Sequence, residues 1–367
     1  MRFNNGIMDV HVHAHGGCTV DGFIRNAVDH LSASGLNAEN LLCVKHGRSA
    51  CISEPNALLA KAMFPGKFNV LGNPTFLIPE FGTSREGFAE QVQDFINAGI
   101  DGVKMADINA DGRPLDDPDF DPMFDVLEKN NAPMLYHVGG FAYSPVRRRF
   151  IKNHFQVENP PFLTYQGPQD DDTVERLDKA LVETNKVKRA QIGNLLDRHP
   201  TVKLIFPHTF CHTEDLDDLS VFLDKHPSIS IDLTPCDQIY FYFSQNSKRS
   251  RDFICDYRKR ILFGTDNTIE MDPLNTIILI RSFLETDEKF FSASWGFDIQ
   301  GIALPKEVLD DIYRDNYKSI LGDERVNTTH AAEYCEKVYD ILRKLDEMPE
   351  ENKLEALECA KRLRKMK

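Results

Sequence analysis

The feature that most constrains this chain is a set of short apolar runs that return about every thirty residues. They begin near residues 6, 40, 68, 101, 132, 202, 228 and 260, at intervals of 34, 28, 33, 31, 70, 26 and 32. A strand with its crossover helix takes roughly thirty residues, so the period describes repeated βα units. The runs lie at 6–13, 40–46, 68–73, 101–106, 132–138, 202–208, 228–234 and 260–266, and most are near-continuously apolar. Strands of a parallel sheet covered on both faces have that character. With no break in composition between halves, the expectation is an α/β chain folded as a (β/α)8 TIM barrel.

The interval of 70 marks an insertion of about forty residues beyond the period, near 140–175. It follows strand five, so it belongs to the C-terminal face, where barrel active sites are built. It reads as a lid or pocket wall, or else as a surface excursion. Elsewhere Thr83 with Glu86 forms a capping box for a helix through Phe88, Val92 and Phe95 to Ala98. Residues 1–322 make the barrel, and 323–367 form a C-terminal helical extension. Val338, Ile341, Leu342 and Leu345 stripe its first helix; Leu354, Leu357 and Leu363 stripe its second. Those stripes need a surface, either the barrel or a second subunit, which leaves a homodimer open.

Composition narrows the partners. The formal net charge is −14, which argues against a nucleic-acid backbone as partner. The eight cysteines show no Cys-x-x-Cys spacing, the N-terminus lacks an apolar leader pattern, and no run is long enough to span a bilayer. The expectation is a cytoplasmic protein with reduced thiols and no membrane partner.

Chemistry enters at the strand ends. In MDVHVH, His11 and His13 stand two apart and so share a face of the first strand. Strand five ends in His137, strand six in His208 and strand eight in Asp266. All five residues fall at C-terminal strand ends, on the face that carries barrel active sites. Imidazoles with a carboxylate suit Zn²⁺, and also Mn²⁺ or Fe²⁺. His212, four residues beyond His208, loses the meaning of helical zinc-pair spacing because His208 ends a strand. His15 falls in the turn after the first strand, and Cys211 has no base to activate it.

DVHVH, YHV, FPH and LFGTD, in that order at strand ends, resemble the amidohydrolase superfamily. LFGTD followed by GIALPKEVLDDIYRDNYKSIL is similar to its amidohydrolase-related group of metal-dependent hydrolases, which also contains aminocarboxymuconate-semialdehyde-type decarboxylases. The resemblance spans roughly residues 6–322. It implies one divalent metal held by His11, His13, His137 and Asp266. It also implies His208 as a catalytic imidazole acting on water, with Asp266 both ligand and proton shuttle. Lys104, in DGVKMAD on strand four, stands where binuclear members carry a carbamate or second-metal ligand, although the GVK form occurs in the mononuclear group too.

Basic residues suggest the substrate. Arg48, after strand two, and Arg147, Arg148 and Arg149 in the insertion are candidates to hold a carboxylate in a bidentate fork. Phe141, Tyr143, Tyr240, Tyr242 and Trp295 are candidates to line a pocket. The expected activity is hydrolysis of a small carboxylate-bearing amide, ester or lactone by metal-activated water. Non-oxidative decarboxylation at the same site is the alternative, and a ligand-binding barrel without catalysis is a third reading.

Overall fold

The apolar runs pair side by side in chain order. The computed structural model describes residues 6–16, 19–44, 52–75, 78–82, 85–106, 113–138, 171–293, 295–322, 324, 326–346 and 348–366. Parallel strands β1 (Met8–Ala14), β2 (Ala38–Cys43), β3 (Phe68–Gly72), β4 (Gly102–Ala106), β5 (Pro133–His137), β6 (Lys203–Phe206) and β7 (Ile229–Asp232) follow one another around the sheet. The eighth run forms two pieces: β8 (Ile261–Leu262) pairs with β7, and β9 (Asn267–Thr268) pairs with β1. One stretch therefore joins both edges. Between the pieces, Val10 N–H donates to the Phe263 carbonyl at 3.0 Å and Asp266 N–H to the His11 carbonyl at 2.9 Å. The sheet closes as a (β/α)8 barrel, which leaves no exposed strand edge. Residues 140–170 of the expected insertion, and Thr83 of the expected capping box, lie outside the described residues.

Two apolar layers hold the barrel. A small inner cluster includes Met8, Val10, Leu42, Leu71, Leu135, Ile205 and Leu262, joined by Tyr317 from the helix Asn316–Leu321. The larger outer cluster packs strand residues such as Val12, Leu41, Val103, Tyr136, Phe206 and Ile231 against the helices. Membership in these clusters gives the facing of each strand. On β1, Met8 and Val10 face in, whereas Val12 and Ala14 face out. Strict alternation cannot produce that switch. It comes from a bulge: Asp9 pairs with Glu39 and Val12 with Leu41, so three steps on β1 match two on β2. A bulge of one extra residue turns every later side chain to the opposite face.

The Asp9 carboxylate holds the bulge. Oδ1 accepts from His11 N–H at 3.0 Å and from Thr265 N–H at 3.1 Å, and Oδ2 accepts from Thr265 Oγ1 at 2.6 Å. Asp9 thus satisfies amide donors in β1 and in the closing stretch together. Glu39, its neighbour on β2, is buried and bonded to His30 of the helix Val20–Ser34 at 3.0 Å.

The C-terminal helices Thr328–Leu342 and Glu350–Lys365 pack on each other and on the barrel helices Glu54–Met63 and Arg85–Ala98. Their surface is therefore the barrel. The helix Glu54–Met63 is buried from Glu54 through Ala62 because it lies between the sheet and this added layer. Its polar residues find partners: Asn56 donates to Glu355 at 3.0 Å, and Lys61 donates to the Gly99 carbonyl and to Asp101, both at 2.7 Å. Val338, Ile341 and Leu342 face in as expected, but the last helix turns differently. Leu354 is 48% exposed, and Ala356, Cys359, Ala360 and Leu363 make the contact. Small side chains let the last helix approach closely, so its apolar face follows them and not the first leucines.

Asp9→Ala would leave buried amide donors of His11 and Thr265 without acceptors, each costing about 1–3 kcal/mol. The expected loss of unfolding free energy in urea is about 3 kcal/mol or more. Asp9→Asn, which keeps an acceptor oxygen, should lose clearly less.

Candidate functional site

The bulge decides what lies inside the barrel mouth. Without it His11 and His13 would share the outward face of Asp9; with it they turn inward beyond Val10. β4 sends Lys104 inward between outward Val103 and Met105, β5 sends His137, and β7 sends Asp232. His208 and Asp266 arrive from the loops just beyond β6 and β8.

Each of those loops carries a strained backbone. His208, Thr209, Phe210 and Cys211 all have positive φ, from 51° to 60°, and form one left-handed turn. For residues with a Cβ this costs roughly 1–2 kcal/mol apiece, so the surroundings must enforce it. Asp232 Oδ1 accepts from His208 N–H at 2.9 Å, and the Phe210 ring packs on Phe206 at 4.3 Å and on Phe222 at 5.1 Å. The turn explains why β6 ends at Phe206, before the expected end at 208. Asp266 is also left-handed, with φ 60°. Just before it, Gly264 is required: a Cβ there would meet Thr234 Oγ1 at 2.8 Å and the His11 Cβ at 3.1 Å.

The side chains converge on one carboxylate. Asp266 Oδ1 lies 3.1 Å from His11 Nε2 and 2.8 Å from His13 Nε2, and its Oδ2 lies 3.7 Å from His208 Nε2. His11 Nδ1 lies 2.9 Å from Asp232 Oδ2, which assigns its proton to that nitrogen when the ring is neutral. His11 Nε2 then turns a lone pair toward the Asp266 oxygen. Two acceptors at that distance repel unless a proton or a cation stands with them. His208 is fixed in the same way, because Nδ1 faces the Thr234 carbonyl at 3.2 Å and a carbonyl can only accept. Its Nε2 is the acceptor nitrogen turned toward Asp266.

Electrostatics bias the charge of each ring. Burial pushes the His13 imidazole down to about 4 despite Asp266. Burial, with the nearby His208 and Lys104, holds His137 well below the ordinary histidine range, and burial also lowers His208. His11 moves the other way: burial and Lys104 push it down, but Asp266 and Asp232 outweigh them. Asp266 stays ionised because His11, His13 and His208 overcome its burial. Imidazoles beside an ionised carboxylate form a donor set for a divalent first-row cation. Among the described residues, His11, His13 and Asp266 bring ligand atoms within 4.8 Å of one another.

Of the residues singled out in the sequence, His11, His13, His208 and Asp266 come together directly. His137 stands beside His208, their ring centres 5.2 Å apart, and is not in the three-residue gathering. His15 stacks on His13 at 5.7 Å. His212 pairs with Glu214 at 3.1 Å and Asp218 at 2.7 Å, away from Asp266. Tyr240 is a core residue whose hydroxyl donates to the Leu233 carbonyl, and Trp295 stacks on Phe297 in the hairpin that follows the barrel. Arg48, Arg147, Arg148, Arg149, Phe141 and Tyr143 lie outside the described residues. A second acidic group, Asp125 and Glu128 with His199, sits by the entrance to β6. There Glu128 accepts from the Thr201 amide and hydroxyl and from His199, which accounts for it as a structural clasp.

Sequence reasoning missed Asp232, which joins His11, His208 and the amide of Thr234 in one set of hydrogen bonds. Its signal is present in SISIDLT, where a lone carboxylate ends an apolar strand at a position that alternation turns inward.

The family model described as Amidohydrolase matches residues 59–320. No curated protein matches the chain. Among solved structures, a putative amidohydrolase from Staphylococcus aureus aligns with TM-score 0.54 and 13% identity over 86% of this chain and 99% of its own. An uncharacterised TIM-barrel protein from Bordetella bronchiseptica gives TM-score 0.54 and 13% identity over 86% and 98%. A 5-carboxyvanillate decarboxylase from Novosphingobium aromaticivorans, complexed with manganese and 4-hydroxy-3-methoxy-5-nitrobenzoic acid, gives 0.53 and 11% over 87% and 97%.

The donor set predicts close to one divalent ion per chain in protein purified without chelator, counted by elemental analysis. His11→Ala should lose most of it. Asp232→Asn, which removes the charge behind His11 and leaves one acceptor oxygen for His11 Nδ1–H and the amides of His208 and Thr234, should weaken affinity about 10- to 100-fold, the usual effect of losing a ligand's hydrogen-bond partner.

Proposed function

Since the chain belongs to the amidohydrolase family, we propose that it is a hydrolase using one divalent metal ion, zinc above manganese or iron, on a small carboxylate-bearing amide, ester or lactone. The observation that carries this reading is the approach of two imidazole Nε2 atoms to one oxygen of Asp266, with a third imidazole facing its other oxygen. Bound there, the ion would polarise a carbonyl and bring the pKa of a water molecule to about 7. His11, His13 and Asp266 are the proposed ligands, with His137 as the fourth. His208 is the proposed base: neutral at pH 7 and hydrogen-bonded through Nδ1, it offers Nε2 to take a proton from water. Asp266, next to that nitrogen, is proposed to pass the proton on toward the leaving group.

The same reading keeps Arg48, Arg147, Arg148 and Arg149 as candidates for a substrate carboxylate. It keeps the protein in the cytoplasm. The six described cysteines carry no disulfide, and no helix among the described residues is long and apolar enough to cross a membrane.

Non-oxidative decarboxylation is the second reading. The observation favouring it is again His208: once its Nε2 has taken up a proton from solvent, this imidazole beside the ligand carboxylate is placed to deliver that proton to the carbon from which CO₂ leaves. The two activities differ in product, so release of CO₂ or bicarbonate from candidate acids, measured beside release of acid from lactones and amides, separates them.

His208→Ala should keep its metal while kcat falls by about 100-fold or more, the usual scale for a general acid–base group. Metal lost to the same extent as in His11→Ala would make His208 a ligand and not a base.

A further inference from the structure

Among the described residues two lysines of the barrel are almost fully buried, and the chain treats them differently. Lys61 donates to the Gly99 carbonyl and to Asp101, whose other oxygen accepts from the Val70 amide. Its charge is matched and two of its three donors are used. Lys104 is 3% exposed, and its Nζ has no hydrogen-bond partner among the described residues. A buried ammonium without a partner is strongly disfavoured, so one that persists stands where something else is meant to bind.

Its surroundings narrow what that is. Lys104 points into the cavity and stands near enough to His11, His13, His137, Asp232 and Asp266 for its charge to act on each. Neither carboxylate forms an ion pair with it. Asp232 is engaged on both oxygens, Oδ1 by the amides of His208 and Thr234 and Oδ2 by His11. Asp266 Oδ1 faces His11 and His13. Among the described residues the charges of the cavity then sum simply. Two carboxylates cancel one divalent ion, and Lys104 remains as a single uncompensated positive charge.

We propose that Lys104 binds the carboxylate of the substrate, so that the site takes small monoanionic acids and holds the anionic group at β4 beside the metal. This rests on the metal reading given above. It makes a strand residue, fixed by the barrel, the anchor for the substrate, with any loop arginine acting in addition. It also leaves the amine unmodified, in contrast to the carbamate that the position suggests in binuclear relatives.

The test uses the full chain loaded with Mn²⁺ and two probes of the same shape, benzoate and benzamide, titrated calorimetrically. Wild type should bind benzoate about thirtyfold or more tightly than benzamide, the scale of a hydrogen bond to a charged group. Lys104→Met should keep its ion and its melting temperature but lose that preference. Lys104→Met that holds the ion and still prefers benzoate as wild type does would overturn the proposal, as would a CO₂ adduct on Lys104 in the intact mass. Wild type that holds the ion but does not prefer benzoate would overturn it too. Wild type that holds no ion would remove the metal reading itself, a different failure. Should Lys104→Met not fold, a structure of wild type with Mn²⁺ and benzoate decides. A carboxylate oxygen within hydrogen-bond distance of Nζ supports the proposal, and one bound elsewhere overturns it.

Discussion

The Asp9 carboxylate, shared between the amide of His11 and the amide and hydroxyl of Thr265, is the interaction on which the rest of the site depends. A bulge leaves an amide without its ladder partner, and here a side chain two residues earlier supplies the acceptor. The same carboxylate fastens the stretch that closes the barrel. Closing the sheet and turning His11 and His13 inward are therefore one structural event. Without the bulge the inner core of Met8 and Val10 could be kept only by sending both imidazoles out among the helices.

A second centre of organisation lies at β7. Asp232 accepts from His208 N–H and faces His11 Nδ1, so it fixes the strained turn after β6 and the tautomer of an imidazole on β1. Gly264 allows the closing stretch to pass against both His11 and Thr234. Strain at His208 to Cys211 and at Asp266 is concentrated where strand ends meet the cavity. Such backbone persists only when hydrogen bonds and packing over-determine it, which makes for a preorganised site. The donor atoms are held by strand ends and short turns.

Much of this is legible in the sequence, for physical reasons. Eight apolar runs stand out because strands buried on both faces tolerate few polar residues, and the polar residues that end them are then conspicuous. His11, His13, His137, His208 and Asp266 stand out in that way. The bulge is not legible, since MDVHVH reads as regular alternation and the switch of face shows only when β1 is laid against β2. Nor is the left-handed turn, because PHTFCH contains no glycine to announce positive φ. Asp232 passes as an ordinary strand polar residue until its partners on two other strands are known. The last helix misleads for another reason: Leu354 looks like core, but close approach to Glu54–Met63 favours Ala356, Cys359 and Ala360.

The central claim is that the β1 bulge brings His11 and His13 to Asp266 in order to hold a cation. The most direct measurement is a crystal structure of the protein grown with Zn²⁺, with anomalous scattering recorded at the zinc edge. The account predicts one peak at about 2.0–2.2 Å from Nε2 of both His11 and His13 and from a carboxylate oxygen of Asp266. A cavity without a peak, with His11 and His13 still lying against the Asp266 carboxylate, would contradict it.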